Sequence, residues 1–582
     1  MLKIPNTTQI LTPLRIYQIL VRLFGNPNPN PVLNGSRSEN GCGTLDDLNN
    51  LALKSIADLG CNAVWLTGLL RHATQTSYDA LGIERDHPSV IKGKAGSPYA
   101  VSDFFDIDPD LARNPDKRMK AFEDCRDRIH GLGLKLIIDF VPNHTARLYH
   151  SPAARSLGLR DLGQDDFQTE SFHPNNHYYY ITNQELQLPE ALQTKKDPYR
   201  EFPAKATGND CFTAFPSETD WYETVKLNYG VRPGDGAHFF HPIPPTWFYM
   251  EQVLRFWAAK GVDGFRCDMV ELVPIEFWAW VIPRIQAAFP VFFIGEVYNP
   301  QLYRRHLEEG HFSYLYDKVG LYDVLRDLCE GKGNANSITQ VWQSQEGISH
   351  RMLRFMENHD EQRMASPFVA ENPEKVLPAM AITCLLGKGP IMIYAGQELG
   401  EKAEGGAGFS GDDGKTTIFD YFSIPGIVAW NNHGTWNPEN LPSETLKLRK
   451  AYQELLQLHA GNAAFQDGHF YDLQYANQNQ TQYPSEKAYA FLRYTDKEKF
   501  LVVASFQDQA AALRIRVPKD AWISMGISLE DRCQLIPRAG TGKPSEFYVT
   551  STFESDGGSA GILILLPAFG YGVYEIATKN QA

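Results

Sequence analysis

Eight short apolar runs, separated by stretches of helical periodicity, constrain this chain more than any other feature. They fall at 15–24, 63–67, 135–141, 264–268, 291–296, 313–317, 352–357 and 390–394. Each has the length of a buried strand, and helix-period stretches at 119–130 and 250–260 lead into the third and fourth. Strands interleaved with helices make a parallel sheet, either a doubly wound open sheet or a closed barrel. Eight of them predict a (β/α)8 barrel, in which chemistry sits on the loops after the C-terminal strand ends.

Two segments break this rhythm. The first, 145–225, is rich in Asn, Asp, Pro and aromatics and is too long for a plain loop. We read it as a small inserted domain after the third strand, leaning over the barrel mouth. The second follows a helical stretch at 444–458, where short alternating segments with turn signals (488–494, 499–506, 513–517, 561–567 and 570–575) predict an antiparallel β-sandwich. The expected organisation is a barrel over 1–144 and 226–460, an insertion over 145–225 and a β domain over 461–582.

Charge and composition narrow the partners. There are 55 Lys and Arg against 69 Asp and Glu, a net charge of −14, with no basic block to displace counterions from a nucleic acid. A neutral substrate fits better. Polar residues interrupt every apolar run well short of the roughly 18 needed to span a membrane. The opening MLKIPNTTQI lacks the apolar core of a leader peptide. The eight cysteines are dispersed, with no CxxC pair, as reduced thiols in a cytoplasmic protein would be. A monomer or homodimer is expected.

The expected strand ends carry carboxylates, histidines and an arginine. The third run leads into Asp139-Phe-Val-Pro-Asn143-His144, the fourth into Gly264-Phe-Arg266-Cys-Asp268, the fifth into Glu296, and the seventh into Glu357-Asn-His359-Asp360. Singly, each is ordinary turn or capping chemistry. Together, at four separate strand ends, they are not. Asp268 and Glu296 are one βα unit apart and so top adjacent strands, about 4.8 Å from one another. Two carboxyls at about 5–5.5 Å suit glycoside hydrolysis with retention, in which one attacks the anomeric carbon and the other serves as acid and then base. Arg266, two residues before Asp268, projects from the same strand face and is expected to hold Asp268 ionised. Glu296 then needs a raised pKa from burial or from neighbouring negative charge. Asp360 with His359 is placed to bind sugar hydroxyls.

At these residues the sequence resembles the α-amylase family of glycoside hydrolases. DFVPNH at 139–144, GFRCD at 264–268, IGE at 294–296 and ENHD at 357–360 are similar to its strand-three, -four, -five and -seven motifs. SPYAVSDFFDID at 97–108, VKLN at 225–228, FSYLYDKVGLYD at 312–323 and YAGQELG at 394–400 support the match. The resemblance implies Asp268 as nucleophile, Glu296 as general acid/base and Asp360 as transition-state stabiliser. It implies that Arg266, His144 and His359 bind the sugar at the cleavage site, that Tyr99 stacks on it and that Asp139 orients Arg266. The implied substrate is an α-glucan or maltooligosaccharide cleaved at α-1,4 or α-1,6 bonds. A glucanotransferase using the same intermediate, and a glucan-binding protein without activity, are the alternatives.

Departures from the family pattern bear on specificity and metal. Where α-amylases carry a Lys-His pair after the nucleophile, this chain reads Met269-Val270-Glu271-Leu272, and Glu271 resembles the substrate-contacting residue of neopullulanase- and cyclomaltodextrinase-like members. Those members have an extra N-terminal β domain, for which no room is expected before residue 15. Asn143 stands where many members ligate calcium, a cation that needs about 6–8 oxygens. The rest of that ligand set is not evident, and no cofactor is expected to be required. GDDGKT at 411–416 lacks the spacing and the preceding strand of a phosphate loop.

Overall fold

A computed structural model describes residues 13–528, 531–541, 546–548 and 561–578. The opening residues on which the leader reading was made lie outside them. Eight parallel strands close into a barrel: β1 Arg15–Leu20, β2 Ala63–Thr67, β3 Lys135–Phe140, β4 Gly264–Cys267, β5 Phe292–Gly295, β6 Tyr314–Tyr316, β7 Met352–Phe355 and β8 Ile391–Tyr394. Each pairs with its sequence neighbours, and β1 closes against β8 with Ile16 opposite Met392. Alternate residues turn inward, so Ile16, Ala63, Trp65, Ile137, Ile294 and Leu353 fill the interior as a packed core.

The expected first strand ends four residues early. Val21–Phe24 forms a helical turn, all four residues buried, and Arg22 Nη2 reaches 2.7 Å from His72 Nε2. The helix expected at 250–260 begins at Pro245 instead and runs to Ala259. The prolines of HPIPPTWF read as loop, yet Pro245 occupies the first helical position, where a missing N–H is harmless.

The segment after β3 leaves the barrel through His144–Ala146, which pairs antiparallel with Thr224–Lys226 on the return. Between these, Leu186, Leu188, Ala204, Ala214 and Tyr222 form a small core together with Val90 from the connection between β2 and β3. A buried ion pair, Arg147 to Glu201 at 2.7 Å, pins it.

The C-terminal segment forms a six-stranded antiparallel sheet faced by the pair Ala511–Ile515 and Ile562–Leu566. It is not an independent body. Along Ala488–Tyr494, Ala488, Ala490 and Leu492 face the sandwich core while Tyr489 and Phe491 join the main core around the barrel. Arg493, fully buried, donates to the carbonyls of Leu385, Leu386 and Gly387 behind the barrel and to those of Phe465 and Gly468. A sheet buried on both faces fixes the appendage to the barrel, since each large buried side chain contributes about 1.5–3 kcal/mol.

Candidate active site

The strand ends converge on Arg266. Its neighbour in register on β3 is Asp139. The guanidinium is fully buried and touches four carboxyls: Nη1 lies 2.8 Å from Asp268 Oδ1 and 3.4 Å from Asp139 Oδ1, and Nη2 lies 2.8 Å from Glu296 Oε1 and 3.9 Å from Asp360 Oδ2. Trp65, Tyr99 and Tyr316 surround it at 5.4, 5.5 and 5.6 Å from ring centres, and Nε donates to the Tyr316 hydroxyl. A planar fork within an aromatic cage suits arginine and not lysine.

Arg266 favours the ionised form of Asp268, as expected, but it is shared. One positive charge is divided among four carboxyls. Burial is the largest influence on Asp268 and pushes it well above the ordinary carboxylate range; Arg266 opposes this, while Glu296, Asp360 and Asp139 add to it. Burial likewise raises Asp139 to about 6, against Arg266, and raises Asp360, against Arg266 and Lys415. A buried cluster with more carboxyls than cations retains protons near neutrality, as acid/base chemistry requires.

His359 is fixed by both ring nitrogens. Gln18 Nε2 lies 2.7 Å from Nδ1, and Nε2 hydrogen-bonds the Tyr99 hydroxyl and sits 3.2 Å from Asp360 Oδ2. With Gln18 donating to Nδ1, the proton belongs on Nε2. Burial, reinforced by Arg266, lowers its pKa well below the usual value, so the ring is a neutral donor. Tyr99 stacks parallel on His359 at 5.3 Å. His144 hydrogen-bonds the Tyr99 backbone, and burial together with Lys226 lowers it to about 3. Asp268, Glu296, Asp360, Arg266, His359, Tyr99 and Asp139 thus form one connected cluster, with His144 attached through Tyr99.

Glu271 stands at the edge. Its Oε1 accepts from the backbone N–H groups of Tyr298 and Asn299, both at 2.6 Å, and the residue lines a cavity of about 470 Å³ with Tyr179, Phe212 and Tyr229 of the inserted segment and its return. Asn143, the residue expected as a possible calcium ligand, faces a side-chain cation. Its Oδ1 lies 2.5 Å from the ammonium of Lys226, which also contacts Asp210 Oδ1 at 2.7 Å and the Leu272 carbonyl at 3.0 Å. One ammonium thus engages three oxygens at this junction.

Several contributors were not evident in the sequence. Gln18 and Trp65 are inward-facing strand residues whose alternation gives their direction but not their partners. Met269 adopts a left-handed backbone, φ 45° and ψ 48°, which aims its N–H at Glu296 Oε2, 2.8 Å away. Tyr298 donates to Glu296 Oε1 at 2.6 Å. The 411–416 loop carries Lys415 to the electrostatic neighbourhood of Asp360 and His359, its turn held by Asp413 accepting from the Phe409, Ser410 and Lys415 amides.

Residues 18–287 match the model of the alpha-amylase catalytic domain. Among curated relatives, the alpha-amylase MalA of Haloarcula japonica is 24% identical over 391 residues, covering 66% of this chain and 44% of the relative. A cyclomaltodextrin glucanotransferase of Geobacillus stearothermophilus is 25% identical over 401 residues, covering 66% and 49%. The chain thus spans just under half the length of these two. Among solved structures, the maltogenic alpha-amylase AmyB of Thermotoga neapolitana shares the fold, with TM-score 0.59, 19% identity and coverage of 97% of this chain and 98% of that one. The closed barrel and the strand-end cluster thus agree with the similarity of residues 18–287 to the alpha-amylase catalytic domain.

Proposed function

We propose that the protein is a retaining glycoside hydrolase that cleaves α-1,4-glucosidic bonds, and α-1,6 bonds where they fit, in maltooligosaccharides, cyclodextrins or related α-glucans. One observation carries this reading: Asp268 and Glu296 occupy the two terminal nitrogens of a single guanidinium, each at 2.8 Å. Two carboxyls held by one guanidinium are brought close together, as the roughly 5–5.5 Å spacing for a covalent intermediate requires. Asp268 attacks the anomeric carbon while Glu296 gives its proton to the departing glycosidic oxygen. In the second step Glu296 takes a proton from water, whose oxygen attacks the anomeric carbon on the face the leaving group had occupied, opposite Asp268, and the Asp268–carbon bond breaks. Asp360 faces the positive charge that develops on the ring, neutral His359 donates from Nε2 to a sugar hydroxyl, and His144 holds the Tyr99 backbone beside it.

No step requires a metal, and every group comes from one chain. All eight cysteines are free thiols, which agrees with a cytoplasmic location. No helix among the described residues is long and apolar enough to cross a membrane.

Proton NMR of the first product from maltotetraose tests the mechanism. Retention releases the α-anomer before mutarotation; initial release of the β-anomer would overturn it. A second reading, glucanotransfer, is favoured by the cavity beside Glu271, where Tyr179, Phe212 and Tyr229 offer aromatic surface to an acceptor sugar. Oligosaccharides longer than the substrate, formed early at high maltotetraose concentration, mark transfer.

A further inference from the structure

We propose that Tyr298 is a positioning residue for the acid/base carboxyl: its hydroxyl clamps Glu296 Oε1, and Glu271 anchors the backbone that carries it. This rests on reading Glu296 as the acid/base. Glu296 makes three polar contacts. Met269 N–H donates to Oε2 at 2.8 Å and the Tyr298 hydroxyl to Oε1 at 2.6 Å. Arg266 Nη2 is 2.8 Å from Oε1, but it lies off the hydrogen-bonding direction and finds no aligned acceptor. The aligned donor on Oε1 is therefore Tyr298. Alone, a tyrosine just past a strand end could swing away. Here Glu271, from the loop after β4, accepts both the Tyr298 and the Asn299 amides at 2.6 Å and ties the loop after β5 to its neighbour. Glu271 thereby acts on the acid/base through the backbone, with that oxygen already engaged.

The clamp has an electrostatic consequence. A donated O–H favours the ionised carboxylate over the neutral acid. The other groups facing Glu296 are Arg266 and Asp268 from β4, Asp139 from β3, Tyr316 from β6, and His359 and Asp360 after β7; all of them remain in Tyr298→Phe. Burial and the charge of Glu296 hold the Tyr298 phenol well above its ordinary value, so it stays a donor.

The test compares the full chain with Tyr298→Phe, Glu271→Gln and Glu296→Gln, from pH 4 to 9, on maltotetraose and on α-maltosyl fluoride, whose leaving group needs little proton donation. For Tyr298→Phe, the alkaline limb of kcat/KM should move up by about 0.5–1 pH unit. kcat on maltotetraose should fall about 10-fold or more, KM should change less than about twofold, and the loss on the fluoride should be clearly smaller. Glu271→Gln should shift the limb in the same direction, by less. A Tyr298→Phe profile that superposes on wild type, with equal losses on both substrates, overturns the clamp. Wild-type turnover of maltotetraose by Glu296→Gln would instead overturn the acid/base assignment beneath it.

Discussion

The ammonium of Lys226 lies 2.5 Å from the side-chain oxygen of Asn143. Those two residues join the end of β3 to the return of the inserted segment, and the same ammonium reaches Asp210 and the Leu272 carbonyl. Burial lowers the Lys226 pKa and Asp210 raises it again. Replacing Lys226 by Met leaves the buried Asn143 oxygen without its donor, and unfolding stability should drop by about 1–3 kcal/mol. A calcium chelator should leave the melting temperature of wild type unchanged. A chelator-induced fall of several degrees would show that a metal shares this junction.

Asp268→Asn removes the carboxylate proposed to attack the anomeric carbon while keeping the shape of the side chain. Turnover should fall by roughly 10⁴-fold or more, with the melting temperature maintained. Calorimetry should still detect maltooligosaccharide binding. Hydrolysis at the wild-type rate would remove Asp268 from the nucleophile's role.

Arg266→Lys keeps a charge but loses the fork that reaches Asp268 and Glu296 together. Lysine is a point charge on a flexible stem and cannot fix two carboxyls at a set spacing. kcat should fall by about 10²-fold or more, and thermal stability should also decline as carboxyls lose their partner. Steady-state kinetics alongside a melting curve measures both.

Asp86 gives a pH dependence of stability away from the site. It is buried, accepts from the Thr74 amide at 3.2 Å, and burial raises its carboxyl to about 7. An acid whose folded value exceeds its unfolded one takes up a proton on folding. Its contribution is complete below the ordinary aspartate range and is lost as pH rises through about 7. Asp86→Asn should therefore gain on wild type between pH 4 and 8, by about 2–4 kcal/mol at the upper end. Urea midpoints across that range, if parallel for the two proteins, would show that Asp86 ionises normally.

Much of the architecture was legible because it depends on local pattern. All eight barrel strands lie within the eight apolar runs, since a strand buried on both faces must be short, apolar and bounded by turns. Element ends were less legible. The helix starting at Pro245 and the turn at Val21–Phe24 depend on packing that apolar content does not encode. In the site, Asp268, Glu296, Arg266 and Asp360 stood out because carboxyls and an arginine at strand ends have few structural reasons to be there. Trp65, Tyr316 and Gln18 did not, because an aromatic or a glutamine on an inward strand face looks like core.

By itself the sequence determined the order and direction of the strands, and with them which side chains point into the barrel mouth, because a period of two follows from the covalent geometry of an extended chain. Only the tertiary structure decided how charge is shared there. One guanidinium serving carboxyls from four strand ends, a lysine from the return of the insertion reaching Asn143, and Glu271 holding the backbone of Tyr298 all depend on contacts between separate loops. Their energies depend on separations of a few ångströms and on exclusion of water, and both are set only when the barrel closes.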